Sequence, residues 1–251
     1  MVDRLKTAAL ASLLHDVGKV NYRAGGEKKS HSLLGSDFLR PFCEGSEAGG
    51  AILRCVRYHH GRDLSGAHLA VDDLAYLVYE ADNIAAGADR RDKADGKETF
   101  SFDPSICLEN VFNVFEGTKK EEKSYFPLKE LDAREEPNYP VRNPSLVATP
   151  GKYQTIVNDL KANFQRKAPQ DMEPDELLRI LEDTVSFVPS STDRNQVADI
   201  SLYDHVKMTA AIGTSLFRYP EIHLPCAHQR SHAYASGPVF LSADCSGKCG
   251  G

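Results

Sequence analysis

A mainly α-helical bundle is the fold class this sequence predicts, with a small β-hairpin and an incomplete C-terminal segment beside it. Three observations predict it. Apolar residues recur at helical spacing in several separate windows, for example Leu74, Leu77, Val78, Ala81 and Ile84. Residues suited to helix starts, Ser30, Ser32 and Asp199, stand before such windows. The chain has 251 residues, 41% of them hydrophobic, which is enough to bury a core in one large or two small domains.

Residues 3–16 read as a first, largely apolar helix that delivers the pair His15-Asp16, with Gly18 permitting a turn and Lys19 close by. A polar loop with glycines follows over 20–30, and a second helix opens near His31. A third helix over 48–60 ends in Arg57-Tyr58-His59-His60, with Gly61 as its cap candidate. The helix over 72–86 places Asp82 beside its apolar stripe, where a carboxylate needs a partner. The charged stretch from Gly87 to Phe100 reads as a surface loop.

Residues 105–115 fit either a short strand or a helix, Tyr125 to Leu128 an edge strand, and 133–151 a proline-rich connection. Two amphipathic helices follow over 152–167 and 173–187. After a polar loop at 188–192 comes a long helix with Asp199 as its cap and Leu202, Val206, Thr209 and Leu216 on its buried stripe. His205 lies one position from that stripe. Residues 219–251 change in character and read as a disordered linker; Cys226, His228, Cys245 and Cys249 there match no usual zinc spacing.

Composition excludes several roles. A net charge of −6 argues against a protein that holds nucleic acid by its own electrostatic footprint. No window approaches about 18 apolar residues, so no membrane helix is expected, and no secretory pattern opens the chain. Six scattered cysteines point to reduced thiols in the cytoplasm.

His15, Asp16, His31, His59, His60, Asp82 and His205 each lie at the end or polar margin of a predicted helix. Gathered in a bundle they form a mixed imidazole and carboxylate set suited to one or two Mn, Fe, Ni, Co or Zn ions, with Mn, Ni and Co expected first. Two ions about 3.5–4 Å apart suit phosphoester hydrolysis.

These residues in this order resemble the HD superfamily of metal-dependent phosphohydrolases. No histidine precedes His15, so the histidine that usually comes first in that pattern has moved, and the helix carrying His205 is its candidate. That order implies a circularly permuted HD domain over residues 1–218. The motifs Leu13-Leu14-His15-Asp16-Val17-Gly18-Lys19, Tyr58-His59-His60, Glu80-Ala81-Asp82 and Phe187-Val188-Pro189-Ser190-Ser191-Thr192 are together similar to the large signature subunit of type III-A CRISPR (Csm) effector complexes. Residues 219–251 then correspond to a linker and the truncated start of a palm domain, from Leu241-Ser242-Ala243-Asp244 onward.

The resemblance implies a nuclease for single-stranded DNA, with metal-bound hydroxide as nucleophile. Its partners would be other subunits of the ribonucleoprotein, guide RNA and target RNA. His15, Asp16, Asp82 and His205 would form the first metal shell with Asp16 bridging, His31, His59 and His60 a second site, and Lys19 would neutralise the scissile phosphate. Two other readings compete: an HD phosphohydrolase acting on nucleotides, and a catalytically silent structural module of the ribonucleoprotein.

Overall fold

Helix α1 (Arg4–Leu14) is the axis of the protein. Residues 7–14 of it are all buried, because Ala8, Leu10, Ala11, Leu13 and Leu14 leave no polar face to turn outward. The Asp3 carboxylate caps its N-terminus, accepting from the Lys6 amide at 3.0 Å. This computed structural model describes residues 3–25, 29–89, 102–115, 122–131, 137–142 and 146–219.

Around α1 pack α4 (Glu47–Tyr58), α6 (Leu74–Asp89), α8 (Pro174–Val185) and α9 (Leu202–Arg218). A second tier is built from α2 (Gly18–Arg23), α3 (His31–Cys43) and α7 (Pro150–Arg166), with α3 leaning on α4. The short helix α5 (Gly61–Ser65) follows α4 directly. Serine hydroxyls cap three of these helices: Ser30 on α3, Ser46 on α4 and Ser201 on α9.

The expected hairpin is present in minimal form. Strand β1 (Leu108–Glu109) pairs antiparallel with β2 (Tyr125–Phe126), Leu108 opposite Phe126, and a 3₁₀ turn over Val111–Val114 joins the same region. Residues 105–115 therefore hold both a strand and a helical turn.

The structure corrects four local expectations. The span from residue 20 is no loop at its start, because α2 runs to Arg23. Buried Arg23 donates to the Pro189 carbonyl at 2.6 Å, and that tertiary bond sits at the end of the short helix. Ser201, whose hydroxyl accepts from the Asp204 amide at 3.0 Å, caps α9 in place of Asp199. Gly61 opens α5 and does not close α4. Ile84 is 49% exposed, and Ala85 takes the next buried position on α6.

Helix α6 also continues to Asp89, into the stretch expected to be loop; the rest of that stretch, 90–100, and the whole of 220–251 lie outside the described residues. A Cβ at Gly87 would meet nothing within 4 Å. Gly87→Ala is therefore expected to stabilise the fold by about 0.5–1 kcal/mol, the ordinary difference between Gly and Ala in an open helix. A urea melt reads it as a higher midpoint at unchanged slope.

Candidate metal centre

Two helices end on the same device. His15 follows α1 and His59 follows α4, and each ring folds back onto the last turn it has just left. The His15 Nδ1–H donates to the Ser12 carbonyl at 2.7 Å, and the His59 Nδ1–H donates to the Val56 carbonyl at 2.8 Å. Carbonyls of a last helical turn have no partner within the helix, so each bond satisfies one of them. A carbonyl only accepts, so Nδ1 carries a proton in both rings and Nε2 faces inward, where it offers a lone pair whenever the ring is neutral.

Both inward nitrogens face Asp16, which is 2% exposed. Its Oδ2 lies 3.3 Å from His15 Nε2 and 3.4 Å from His205 Nε2. Its Oδ1 lies 3.2 Å from His31 Nε2 and 3.7 Å from His59 Nε2. Asp82 closes the first set, its Oδ1 3.4 Å from His15 Nε2 and 3.2 Å from His205 Nε2. His60 closes the second, its Nε2 2.8 Å from that of His31. One carboxylate thus stands between two donor sets: His15, Asp16, Asp82 and His205 on one side, His31, His59 and His60 on the other.

Tertiary packing brings these side chains together from six helices or their ends. His205 lies in the first turn of α9, which packs along α1 and α6, and the close contact depends on Gly213: a Cβ there would lie 2.9 Å from the Ser12 hydroxyl. His31 is the first residue of α3 and reaches Asp16 because the chain at Gly18 passes almost through the start of that helix. A Cβ at Gly18 would lie 2.5 Å from the Gly35 nitrogen and would collide with the His31 carbonyl. Gly18 therefore serves close approach between elements; its φ is not among the left-handed ones.

Burial and charge oppose each other here. Burial alone would keep His15 neutral, but the Asp16 and Asp82 carboxylates outweigh it and push its pKa up to about 9. Burial would likewise raise Asp16 and Asp82; Lys19 and His15 hold Asp16, and His15 holds Asp82, well below the usual carboxylate range. In the second set burial dominates, followed by neighbouring imidazoles, so His59 and His60 are held below their ordinary value. They are neutral at pH 7, the state a metal ligand needs.

The His15 pKa is raised above the unfolded value of 6.5, so its contribution to metal-free stability is full below that value and is lost as pH rises through about 9. A cation binding to Nε2 must displace that proton. Divalent metal binding at pH 7.5 is thus expected to release a proton and to strengthen toward pH 9. Calorimetry in buffers of different ionisation enthalpy measures the release.

The donor chemistry fits a divalent metal of the borderline class. The His15 Nε2 atom is fully buried and makes no hydrogen bond, five imidazoles converge through Nε2, and the Asp16 oxygens divide between the two sets. All seven residues expected to be ligands lie in the cluster. Lys19 is there too, its ammonium donating to Asp16 Oδ2 at 2.5 Å while remaining 22% exposed. Periodicity did not reveal the backbone carbonyls that orient His15 and His59, or the glycine passage at Gly18. A histidine just beyond a helix end is the one sequence signal that points to the first.

A helical bundle that delivers a His-Asp pair into such a cluster is an HD domain, and the HD domain family model matches residues 2–87. Three curated CRISPR single-strand-specific deoxyribonucleases, Cas10/Csm1 of subtype III-A, are similar along most of the chain. The protein of Enterococcus italicus is 35% identical over 89% of this chain, that of Streptococcus thermophilus 34% over 84%, and that of Mycobacterium tuberculosis 36% over 87%. Among solved structures, Csm1 of T. onnurineus superposes with a TM-score of 0.64 at 28% identity over 87% of the chain. Csm1 in the apo Csm1–Csm4 cassette gives 0.60 at 28% over 85%. The chain spans 30%, 27% and 29% of the three curated relatives and 29% and 28% of the two solved chains. It is an HD domain of the Cas10/Csm1 family.

Proposed function

We propose that this domain hydrolyses phosphodiester bonds of single-stranded DNA with two divalent metal ions. The observation that carries the reading is the division of the Asp16 carboxylate between two donor sets, Oδ2 toward His15 and His205, Oδ1 toward His31 and His59. When bound, the ions supply Lewis acidity, easing the ionisation of water at neutral pH and stabilising charge on the phosphate. Manganese, nickel and cobalt suit such a nitrogen-rich set with two carboxylates.

The chain's own residues supply the rest. His15, Asp16, Asp82 and His205 would hold one ion, and His31, His59 and His60 would share the Asp16 carboxylate with the other. Lys19, partly exposed at the rim, is placed to meet a phosphate oxygen once its ammonium leaves Asp16. Water provides the attacking oxygen: one P–O bond forms, the bond to the leaving sugar oxygen breaks, and that oxygen takes up a proton. The relatives named single-strand-specific deoxyribonucleases support this choice of substrate.

By the same likeness the domain works beside other Csm subunits, since solved neighbours are Csm1–Csm4 assemblies. We propose in addition that guide and target RNA join it in a cytoplasmic effector complex. The three free cysteines described, Cys43, Cys55 and Cys107, are buried. No helix among the described residues is long and apolar enough to cross a membrane. Residues 1–218 make up the HD unit in this reading, and 219–251 begin a further segment.

The test is a cleavage assay. Metal-stripped protein receives Mn, Ni, Co, Mg or Zn together with linear and circular single-stranded DNA, duplex DNA and mononucleotides. Cutting of single strands with a transition metal is the expected result, and cutting of circles identifies endonuclease action. Hydrolysis of nucleotides alone overturns the substrate, and inactivity without metal retention overturns the catalytic reading altogether.

A further inference from the structure

The second donor set is carried on three helix ends, and one carboxylate ties all three together. His31 is the first residue of α3, His59 is the residue that ends α4, and His60 is the residue that precedes α5. Asp63 lies in the first turn of α5. Its Oδ2 accepts from the Arg57 guanidinium, in the last turn of α4, at 2.6 Å. The same oxygen accepts from the Ser32 hydroxyl of α3 at 3.2 Å. Ser32 is fully buried and lies 2.9 Å from the hydroxyl of Ser30, which caps α3. His31 is thus flanked by two serines of one network, and His59 stands two residues after the arginine of the same network.

We infer that Asp63 is a positioning residue for His31, His59 and His60, holding the ends of α3, α4 and α5 at the spacing that lets three imidazoles share one ion. The inference rests on the two-ion reading above. A charge-assisted hydrogen bond between Arg57 and Asp63 sets both distance and direction between α4 and α5. The bond to Ser32 extends that setting to α3. The bonds of the network join α3, α4 and α5, whereas His15, Asp82 and His205 belong to the end of α1, to α6 and to α9, so its loss falls on one set alone.

Two measurements on the full chain test it. Manganese titration followed by electron paramagnetic resonance and metal analysis gives the number and affinity of bound ions. Asp63→Ala is expected to weaken one of two ions about 10–100-fold, the usual effect of removing a partner that orients a ligand. The other ion keeps its wild-type affinity. Asp63→Asn, which retains an acceptor for Ser32 or Arg57, is expected to fall between. Lys167→Ala, which removes a surface pair with Glu176, is the control and should change neither ion. In metal-free protein, the imidazole C–H resonances of His31 and His60 should move in Asp63→Asn, while those of His15 and His205 stay.

Wild-type affinity for both ions in Asp63→Ala, or equal weakening of both in a folded protein, overturns the assignment. If Asp63→Ala fails to fold, Asp63→Asn is judged by the same criteria. Wild-type protein that binds a single ion overturns the two-ion reading instead, and unmoved His31 and His60 resonances then decide against Asp63 independently.

Discussion

Asp16→Ala is expected to lower single-stranded DNA cleavage by well over 100-fold and to abolish binding of both metal ions, in a protein that still folds. Removing a residue that only orients a ligand costs about 10–100-fold, and Asp16 faces both donor sets directly, so its loss must exceed that range. His60→Ala is expected to weaken one ion only, because His60 belongs to one set. The fold is expected to survive because neither remaining charge is stranded: Asp82 still lies 3.4 Å from His15, and the Lys19 side chain is 22% exposed and turns to solvent. Asp16→Asn, which keeps the shape, should be equally inactive. Metal analysis, circular dichroism and a cleavage assay on the same preparations check all three statements. Retention of both ions in Asp16→Ala would remove the bridging role.

The largest expected effect on stability belongs to a residue with no side chain. Gly18→Ala is expected to cost about 3 kcal/mol or more, the upper range for overpacking, because the new methyl group meets main-chain atoms that have no rotamer to escape into. Those atoms are the His31 carbonyl and the Gly35 amide nitrogen of α3. Relief requires α2 and α3 to move apart, which also withdraws His31 from Asp16, now 3.2 Å away. A folded Gly18→Ala protein should therefore show a lowered denaturation midpoint and weakened binding at the second donor set together. Set against the expected gain from Gly87→Ala, the contrast separates helix propensity from contact, since both positions are glycines at helical φ/ψ or close to it.

Much of this site is legible along the chain because its parts obey local rules. An apolar run with no polar face predicts a buried central helix, and α1 is one. Ser30 predicts the start of α3, and with it the place of His31 at a helix end. The conserved geometry of a helix explains why Asp82, one turn from Val78 and next to Ala81, points inward. Where several local signals compete, the sequence reading fails: Asp199 and Ser201 are both good caps, and only the packing of Leu202 against the core selects the serine. Arg23 is polar and near glycines, hence read as loop, yet its guanidinium is buried under the Pro189 carbonyl.

Residue types, their order and their helical periods by themselves determined a helical bundle and the seven metal-ligand candidates; only the resemblance to the HD superfamily implied that the helix of His205 carries the histidine expected before His15. Tertiary structure alone decided which imidazole nitrogen faces inward, which oxygen of Asp16 serves which set, and that Asp63 joins three helix ends. The physical reason is distance along the chain. Periodicity reports what one element shows to the core, whereas a hydrogen bond from Ser32 to Asp63, or an approach of His205 to Asp16, joins residues whose separation repeats nothing.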